Sequence, residues 1–234
     1  MRDLARAVGD LRDRPVNYDE GRAPPFVLDG WHQDRRVVVL GQEAPGEPEP
    51  GGLVETAGTL VDSYEFSDPA ILRAAFPYPG HLVGRDMLLE GRFLVLRFLI
   101  GVRITAEHDE VRAGANGPER VIGWSYQTLR GHLEQGRLTY EVAKELDTGR
   151  VEFRIIAYSR RAPIANPVLR LGFRLFGRRT QLQFYRHALA RLHRLMQAPP
   201  CPPTPGPDGI VRAPSGVEPG RFEGWTLRFA HPGR

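Results

Sequence analysis

The stretch GWSYQTLRGHLEQGRLTYEV, Gly123 to Val142, reads as two strand-like runs joined by a loop that gathers Gly131, His132, Glu134 and Gly136. Apolar and polar residues alternate on either side of a glycine-containing joint, the pattern of an antiparallel hairpin. Arg150 to Ser159 follows with Val151, Phe153, Ile155 and Ala157 on one face, after the tight-turn signal Asp147-Thr148-Gly149. With Glu119 to Thr128 and Arg137 to Glu145, this makes three adjacent hairpin strands.

Upstream, Arg85 to Glu90 and Phe93 to Ile104 read as strands joined by a turn around Gly91. Leu94, Leu96, Phe98, Ile100, Val102 and Ile104 share a face opposite Arg97, Gly101 and Arg103, which is the alternation of a half-buried strand. Ser67-Asp68-Pro69 is a helix-start signal, a polar cap before a first-turn proline. Ile71, Leu72, Ala75 and Phe76 would form that helix's apolar face, and Pro77 and Pro79 its stop. Strands are expected at Arg35 to Leu40 and Leu53 to Phe66, around a loop from Gln42 to Gly52. Leu4, Val8 and Leu11 mark a short charged helix within Met1 to Arg14.

After Pro163 and Pro167 the period changes. Val168, Leu171, Leu175, Leu182, Tyr185, Leu189, Leu192 and Met196 recur at three- and four-residue steps, predicting one apolar stripe on a helix roughly thirty residues long. Its arginines largely face away. Ala198 to Gly220, rich in proline and glycine, reads as a linker, with Trp225, Leu227 and Phe229 as a last strand or docking peptide. The organisation expected is an extension over 1–15, a principal domain over 16–197 and a tail over 198–234. A curved antiparallel sheet closed by the long helix accounts for this order most economically. That is an α+β helix-grip arrangement, and it leaves a cavity suited to a small molecule.

Composition is compatible with that reading. A hydrophobic share of 41% beside 26% charged residues predicts a buried core and argues against disorder throughout. The net charge of +4 is carried almost wholly by arginine, Lys144 being the only lysine. One cysteine, Cys201, excludes a disulfide framework or thiolate metal site within the chain and fits a reducing, cytoplasmic setting. No apolar run reaches the roughly 20 residues that span a bilayer, and the charged start lacks the apolar core of a secretory signal.

WSYQTLRGHLEQGRLTYEV, VEFRIIAYSRRAPIANPV, the arginine-rich FGRRTQLQFYRHALARL and the early NYDE segment together resemble the family catalogued as domain of unknown function nineteen-ninety. The resemblance runs from about Val121 to Leu195 and over Asn17 to Glu20. The family's usual hairpin, Gly-x-Leu-Pro-Gly-His-Pro-Glu-x-Gly, is kept at Thr128-Leu129, Gly131-His132, Glu134 and Gly136, while Arg130 and Leu133 stand where prolines are usual. Likewise its Phe-Ser-Arg-Pro appears as Tyr158-Ser159-Arg160-Arg161. The resemblance implies membership of the START and birch-allergen-like superfamily, whose helix-grip fold serves lipid carriers, hormone receptors and aromatic polyketide cyclases.

His132 and Glu134 are the first candidates for chemistry, since a carboxylate beside an imidazole orients it and raises its basicity. Equally, the pair could brace the loop, with His132 packed on Trp124 or Tyr126. Tyr18, Asp19 and Glu20 could close one end of the cavity or only fix the chain's entry into the sheet. Arg160 needs an anionic partner, in the protein or on a ligand. The expected set is thus His132, Glu134 and Tyr126 as catalytic residues, and Tyr18, Asp19, Trp124, Arg160 and Tyr185 as ligand-binding residues. No metal site is expected, because His187 and His193 are six apart and off the i, i+4 spacing of a helical pair. The absence of a phosphate-binding glycine loop gives no reason to expect a nucleotide cofactor. Three functions stay open: a cyclase-type enzyme acting on a hydrophobic carbonyl substrate, a carrier or sensor using the same cavity, and an anionic membrane or nucleic-acid binder acting through the arginine-rich helix. The last is the least expected.

Overall fold

A computed structural model describes residues 4–19, 30–93, 96–216 and 227–233. The elements are α1 (Leu4–Gly9), β1 (His32–Gln42), α2 (Leu53–Asp62), β2 (Leu72–Pro77), β3 (Asp86–Phe93), β4 (Leu96–Gly114), β5 (Gly117–Thr128), β6 (Glu134–Glu145), β7 (Arg150–Arg161), α3 (Pro167–Leu195), β8 (Ile210–Ala213) and β9 (Leu227–Ala230). The strands form one sheet in the order β1-β7-β6-β5-β4-β3-β2-β8, antiparallel throughout, with β9 laid parallel beside the start of β4. Bulges between Val39 and Gly41 and between Ile104 and Ala106 break the register, the device by which long strands bend. Both α2 and α3 pack on one face of the sheet, which gives the helix-grip architecture.

Two expected elements exchange type. Leu53 to Phe66 is helix over its first ten residues, not strand, because Val54, Ala57, Leu60 and Val61 keep a helical period and all four are buried. The Glu43 carboxylate accepts the Val54 amide at 3.0 Å, supplying the cap that Gly52 lacks. Gly58 lets α2 press on β5, since a Cβ there would lie 2.6 Å from Ile122. Conversely, the cap at Asp68 holds only a single turn before the chain extends into β2. There Ala74 and Phe76 enter the main core while Ala75 joins a second cluster on the opposite face, with Val8, Leu11, Leu88, Leu129 and Ile210. Period two won because both edges of β2 are paired, by β3 and by β8.

The remaining differences are smaller. Gly91 is no turn but a paired residue of β3, opposite Leu72 and Phe98. The linker expected over Ala198–Gly220 contains β8. Leu227 and Phe229 do lie in a terminal strand; Trp225 and Leu94 fall outside the described residues. In α3 the buried side chains are Phe184, Tyr185, Ala188 and Leu192. Val168, Leu171 and Leu175, expected on the same buried stripe, are 76%, 58% and 63% exposed. In the first half of the helix Leu169 and Phe173 take the side towards the core, so Leu171 and Leu175 face away from it.

Lys144 and Glu43 form an ion pair at 2.9 Å with both side chains buried, and Lys144 also donates to the Glu47 carbonyl. Burial alone would raise the Glu43 carboxyl, but the Lys144 ammonium and the amides of Val54 and Glu49 outweigh it and hold it below the usual range. Replacing Lys144 alone with Met leaves that carboxylate buried and unpaired, and should cost about 3–5 kcal/mol in urea denaturation. The double variant with Glu43→Gln should recover part of the loss.

Candidate functional site

Where α3 stands off the sheet there is a chamber of about 300 Å³. Its walls are apolar, including Leu89, Phe93, Phe98 and Ile100 from the sheet and Phe173, Phe176 and Phe184 from the helix. Most polar groups gather on one part of the lining, Tyr126, His132 and Glu134 from β5, β6 and their loop and Gln181 and Tyr185 from α3, while Arg92 of β3 and Thr180 of α3 also line the chamber. Gln181 precedes Tyr185 by four residues, which puts both on one side of the helix.

Glu134 opens β6. Its carboxylate accepts Gln181 Nε2 at 3.1 Å, and the same amide nitrogen reaches Ser159 Oγ at 2.9 Å. The Gln181 oxygen accepts from Arg178, whose guanidinium forks onto the buried Asp34 carboxylate at 2.5 and 2.7 Å. Among the described residues no guanidinium hydrogen-bonds the Glu134 carboxylate directly. Burial pushes its carboxyl up to about 7; Arg178 opposes that rise and Asp34 adds to it. The Tyr126 and Tyr185 hydroxyls are pushed up as well, chiefly by burial, and both remain protonated donors. Tyr185 Oη is buried with no hydrogen-bond partner among the described residues.

His132 does not pair with the Glu134 carboxylate as the sequence suggested. Its Nδ1 lies 2.9 Å from the Glu134 backbone amide and 3.1 Å from the Glu134 carbonyl oxygen, accepting from the first in one tautomer and donating to the second in the other. Burial lowers the imidazole to about 4, with His231 adding to the fall, although the Glu134 carbonyl beside Nδ1, an acceptor for a ring N–H, works the other way. The ring is neutral and braces the loop. Gly131, at φ +101°, lets that loop pass beneath the C-terminal segment: a Cβ there would lie 2.5 Å from His231 Cβ.

The other expected ligand-binding residues separate. Trp124 lies outside the lining, in a buried aromatic cluster with Tyr64, Tyr126 and Tyr140 at ring separations of 5.0 to 6.2 Å. Tyr18 and Arg160 sit on the opposite face of the sheet, because Gln127, Gln135, Tyr158 and Arg160 alternate with the inward Tyr126, Glu134 and Ser159. There Tyr18 meets Tyr158 hydroxyl to hydroxyl at 3.2 Å and takes a bond from Gln127 at 3.0 Å. Arg160 lies over the Trp31 ring at 4.8 Å and donates to Gln135 at 2.8 Å. Among the described residues its partners are thus an aromatic face and an amide rather than an anion. Asp19 follows Tyr18 and is exposed; Glu20 is outside the described residues. Asn17 is a clamp, joining the Glu134 carbonyl at 2.9 Å and Thr128 at 2.7 Å and fixing the hairpin base from behind.

The domain of unknown function DUF1990 matches residues 14–190. The chain belongs to this family. No curated protein matches it. Among solved structures it is similar to Ara h 8.0201, at 10% identity over 72% of this chain and 99% of that one, with a TM-score of 0.39. It is also similar to ginseng major latex-like protein 151 from Panax ginseng, at 8% identity over 71% and 97%, with a TM-score of 0.41. The DUF1990 match covers the pocket-lining strands and most of α3, and ends before β8 and β9. Of the expected site residues, Tyr126, His132, Glu134 and Tyr185 line the chamber. Gln181 and the Asp34–Arg178 fork were missed; the four-residue step from Gln181 to Tyr185 was the signal available.

Because the folded-state value of Glu134 lies above the unfolded one, the native protein keeps this proton longer. Glu134 therefore costs stability as pH rises from 4.5 to about 7. Glu134→Gln should remove that cost and, by urea denaturation, be more stable than wild type by roughly 2 kcal/mol at about pH 8, with little difference near pH 4. Parallel pH profiles would show the carboxyl to be ordinary.

Proposed function

We propose that this DUF1990 chain binds a hydrophobic small molecule in the chamber between sheet and α3, its apolar body along the phenylalanine walls and a neutral polar head at Glu134, Tyr126, Gln181 and Tyr185. The observation that carries this is the division of the lining, mostly apolar with Tyr126, Glu134, Gln181 and Tyr185 gathered in one cluster and Arg92 and Thr180 as further polar members, which is how small-molecule sites combine affinity with orientation. The buried Tyr185 hydroxyl, unpartnered among the described residues, supports a ligand oxygen as its acceptor. A carbonyl or hydroxyl head suits the cluster better than a carboxylate, which would add a second buried negative charge beside Glu134.

A second reading has its own support. A carboxyl near pH 7 can accept and return a proton under ordinary conditions, and Tyr126 lies close enough for the Glu134 charge to raise its hydroxyl further. In a cyclase-type reaction on a carbonyl substrate, Glu134 would take the proton next to the carbonyl and Tyr126 would donate to the enolate oxygen. His132, committed through Nδ1 to the backbone, positions the loop in this scheme and moves no proton. Glu134→Gln separates the two readings: a carrier retains its ligand and has no turnover to lose, whereas an enzyme retains binding and loses turnover.

Native mass spectrometry of the purified protein should find a co-purifying hydrophobic molecule. Gly172 provides the sharper test, because it lines the chamber and a Cβ there meets nothing within 4 Å. Gly172→Trp should fill the space and weaken uptake of an apolar fluorescent probe at least tenfold. Melting temperature should hold or rise, since glycine is about 1 kcal/mol worse than alanine inside a helix. Undiminished uptake in a folded Gly172→Trp variant would refute the chamber as the binding site.

A further inference from the structure

We propose that the outer side of the first half of α3 docks the protein onto an anionic lipid bilayer, with the rim of the chamber against the hydrocarbon. Of the nine large hydrophobic residues that are exposed among the described residues, four fall within nine positions of one helix: Val168, Leu171, Leu175 and Phe176, at 76%, 58%, 63% and 45%. Val168, Leu171 and Leu175 keep helical spacing, so they form a stripe. Leu171 and Leu175 do not line the chamber, and a ligand inside it leaves them in water. A clustered apolar stripe that covers no core is a contact surface.

Charge selects the partner. α3 carries seven arginines and no acidic residue, and none occurs between Glu152 and Asp208, although the whole chain has 28 acidic residues against 32 basic ones. Arg178 is used by Asp34. Arg170, Arg174 and Arg179 are exposed and make no ion pair among the described residues, and each lies within a turn of the leucines. Leucine and phenylalanine beside unpaired arginines are what an interfacial helix offers an anionic bilayer, where each cation near the surface adds attraction. A second copy fits poorly, because a symmetric contact through this stripe would bring arginines together without a carboxylate. Nucleic acid would use the arginines and leave the leucines unexplained.

The position next to the mouth gives the surface its purpose. Phe176, on the same turn as Leu175, faces Phe93 across the rim with ring centres 5.4 Å apart. A helix lying in the headgroup plane would put this gap against the acyl chains, so a hydrophobic ligand could pass between bilayer and chamber without crossing water. That purpose rests on the binding reading above, but the surface itself does not.

The test is co-sedimentation of the full chain with vesicles of phosphatidylcholine alone, or with about 30% phosphatidylserine, at low and high salt, beside apolar-probe uptake measured without vesicles. Wild type should partition at least tenfold better to the anionic vesicles, and salt should reduce that preference. Leu171→Asp with Leu175→Asp, and separately Arg170→Glu with Arg174→Glu and Arg179→Glu, should each weaken partitioning by roughly tenfold or more. Both sets should keep the wild-type melting temperature and probe uptake. The proposal is overturned if wild type ignores anionic vesicles, if both variant sets bind as wild type does, or if the leucine pair instead dissolves a dimer or the arginines capture duplex DNA while vesicles are ignored. Vesicle binding without probe uptake would leave the surface standing and remove the chamber reading.

Discussion

The structure depends on a long helix being held to the sheet at one end and away from it at the other. The second half of α3 packs through Phe184, Tyr185, Ala188 and Leu192, each buried. Just before that contact, Arg178 forks onto Asp34 of the edge strand β1. A bidentate guanidinium–carboxylate contact of this kind fixes direction as well as distance. Beyond it the helix runs on with its backbone bonds satisfied internally, its start capped by the Asn166 side chain. It can therefore leave the sheet without exposing unpaired backbone groups. The space beneath that overhang is the chamber.

The polar cluster follows from the same restraint. Asp34, Arg178, Gln181 and Glu134 form a relay in which Gln181 stands between the guanidinium and the carboxylate, so Glu134 is attracted to a cation it does not touch. Burial then dominates, and the carboxyl keeps its proton to about 7. Had Arg178 reached Glu134, the same acid would be a fixed anion in an apolar room. The Asn17 clamp and the His132 ring hold the Glu134 backbone from both sides, so the titrating group sits on a rigid strand start.

Comparison of particular elements shows which signals were local. β5, β6 and β7 were legible because each is a two-sided pattern closed by its own turn, and β6 and β7 meet at Asp147-Thr148-Gly149. α3 was legible as a helix from its proline start and three- and four-residue steps. Its buried face was not, since apolar residues surround the first half and only the position of the sheet says which of them find cover. Leu53–Asp62 and Leu72–Pro77 were misread for opposite reasons. The first has helical spacing among β-branched and apolar residues that also suit a strand. The second carries a helix cap, yet β3 and β8, the latter some 130 residues further on, both pair with it.

The hairpin tip illustrates the same limit at the level of chemistry. Spacing alone put His132 and Glu134 together, and the resemblance marked the loop that holds them, but only the fold turned the imidazole to the backbone and the carboxylate to Gln181. Tyr18 and Arg160 were separated from the chamber by strand parity, a one-residue matter that no local motif records. The chain on its own determined a hairpin-built sheet, one long helix and the residues at their junction, because these follow from periodicity and turn chemistry within a few residues. Tertiary structure decided which face each side chain serves, where the helix stands clear and which carboxyl keeps its proton, because burial and charge are set by neighbours distant in sequence.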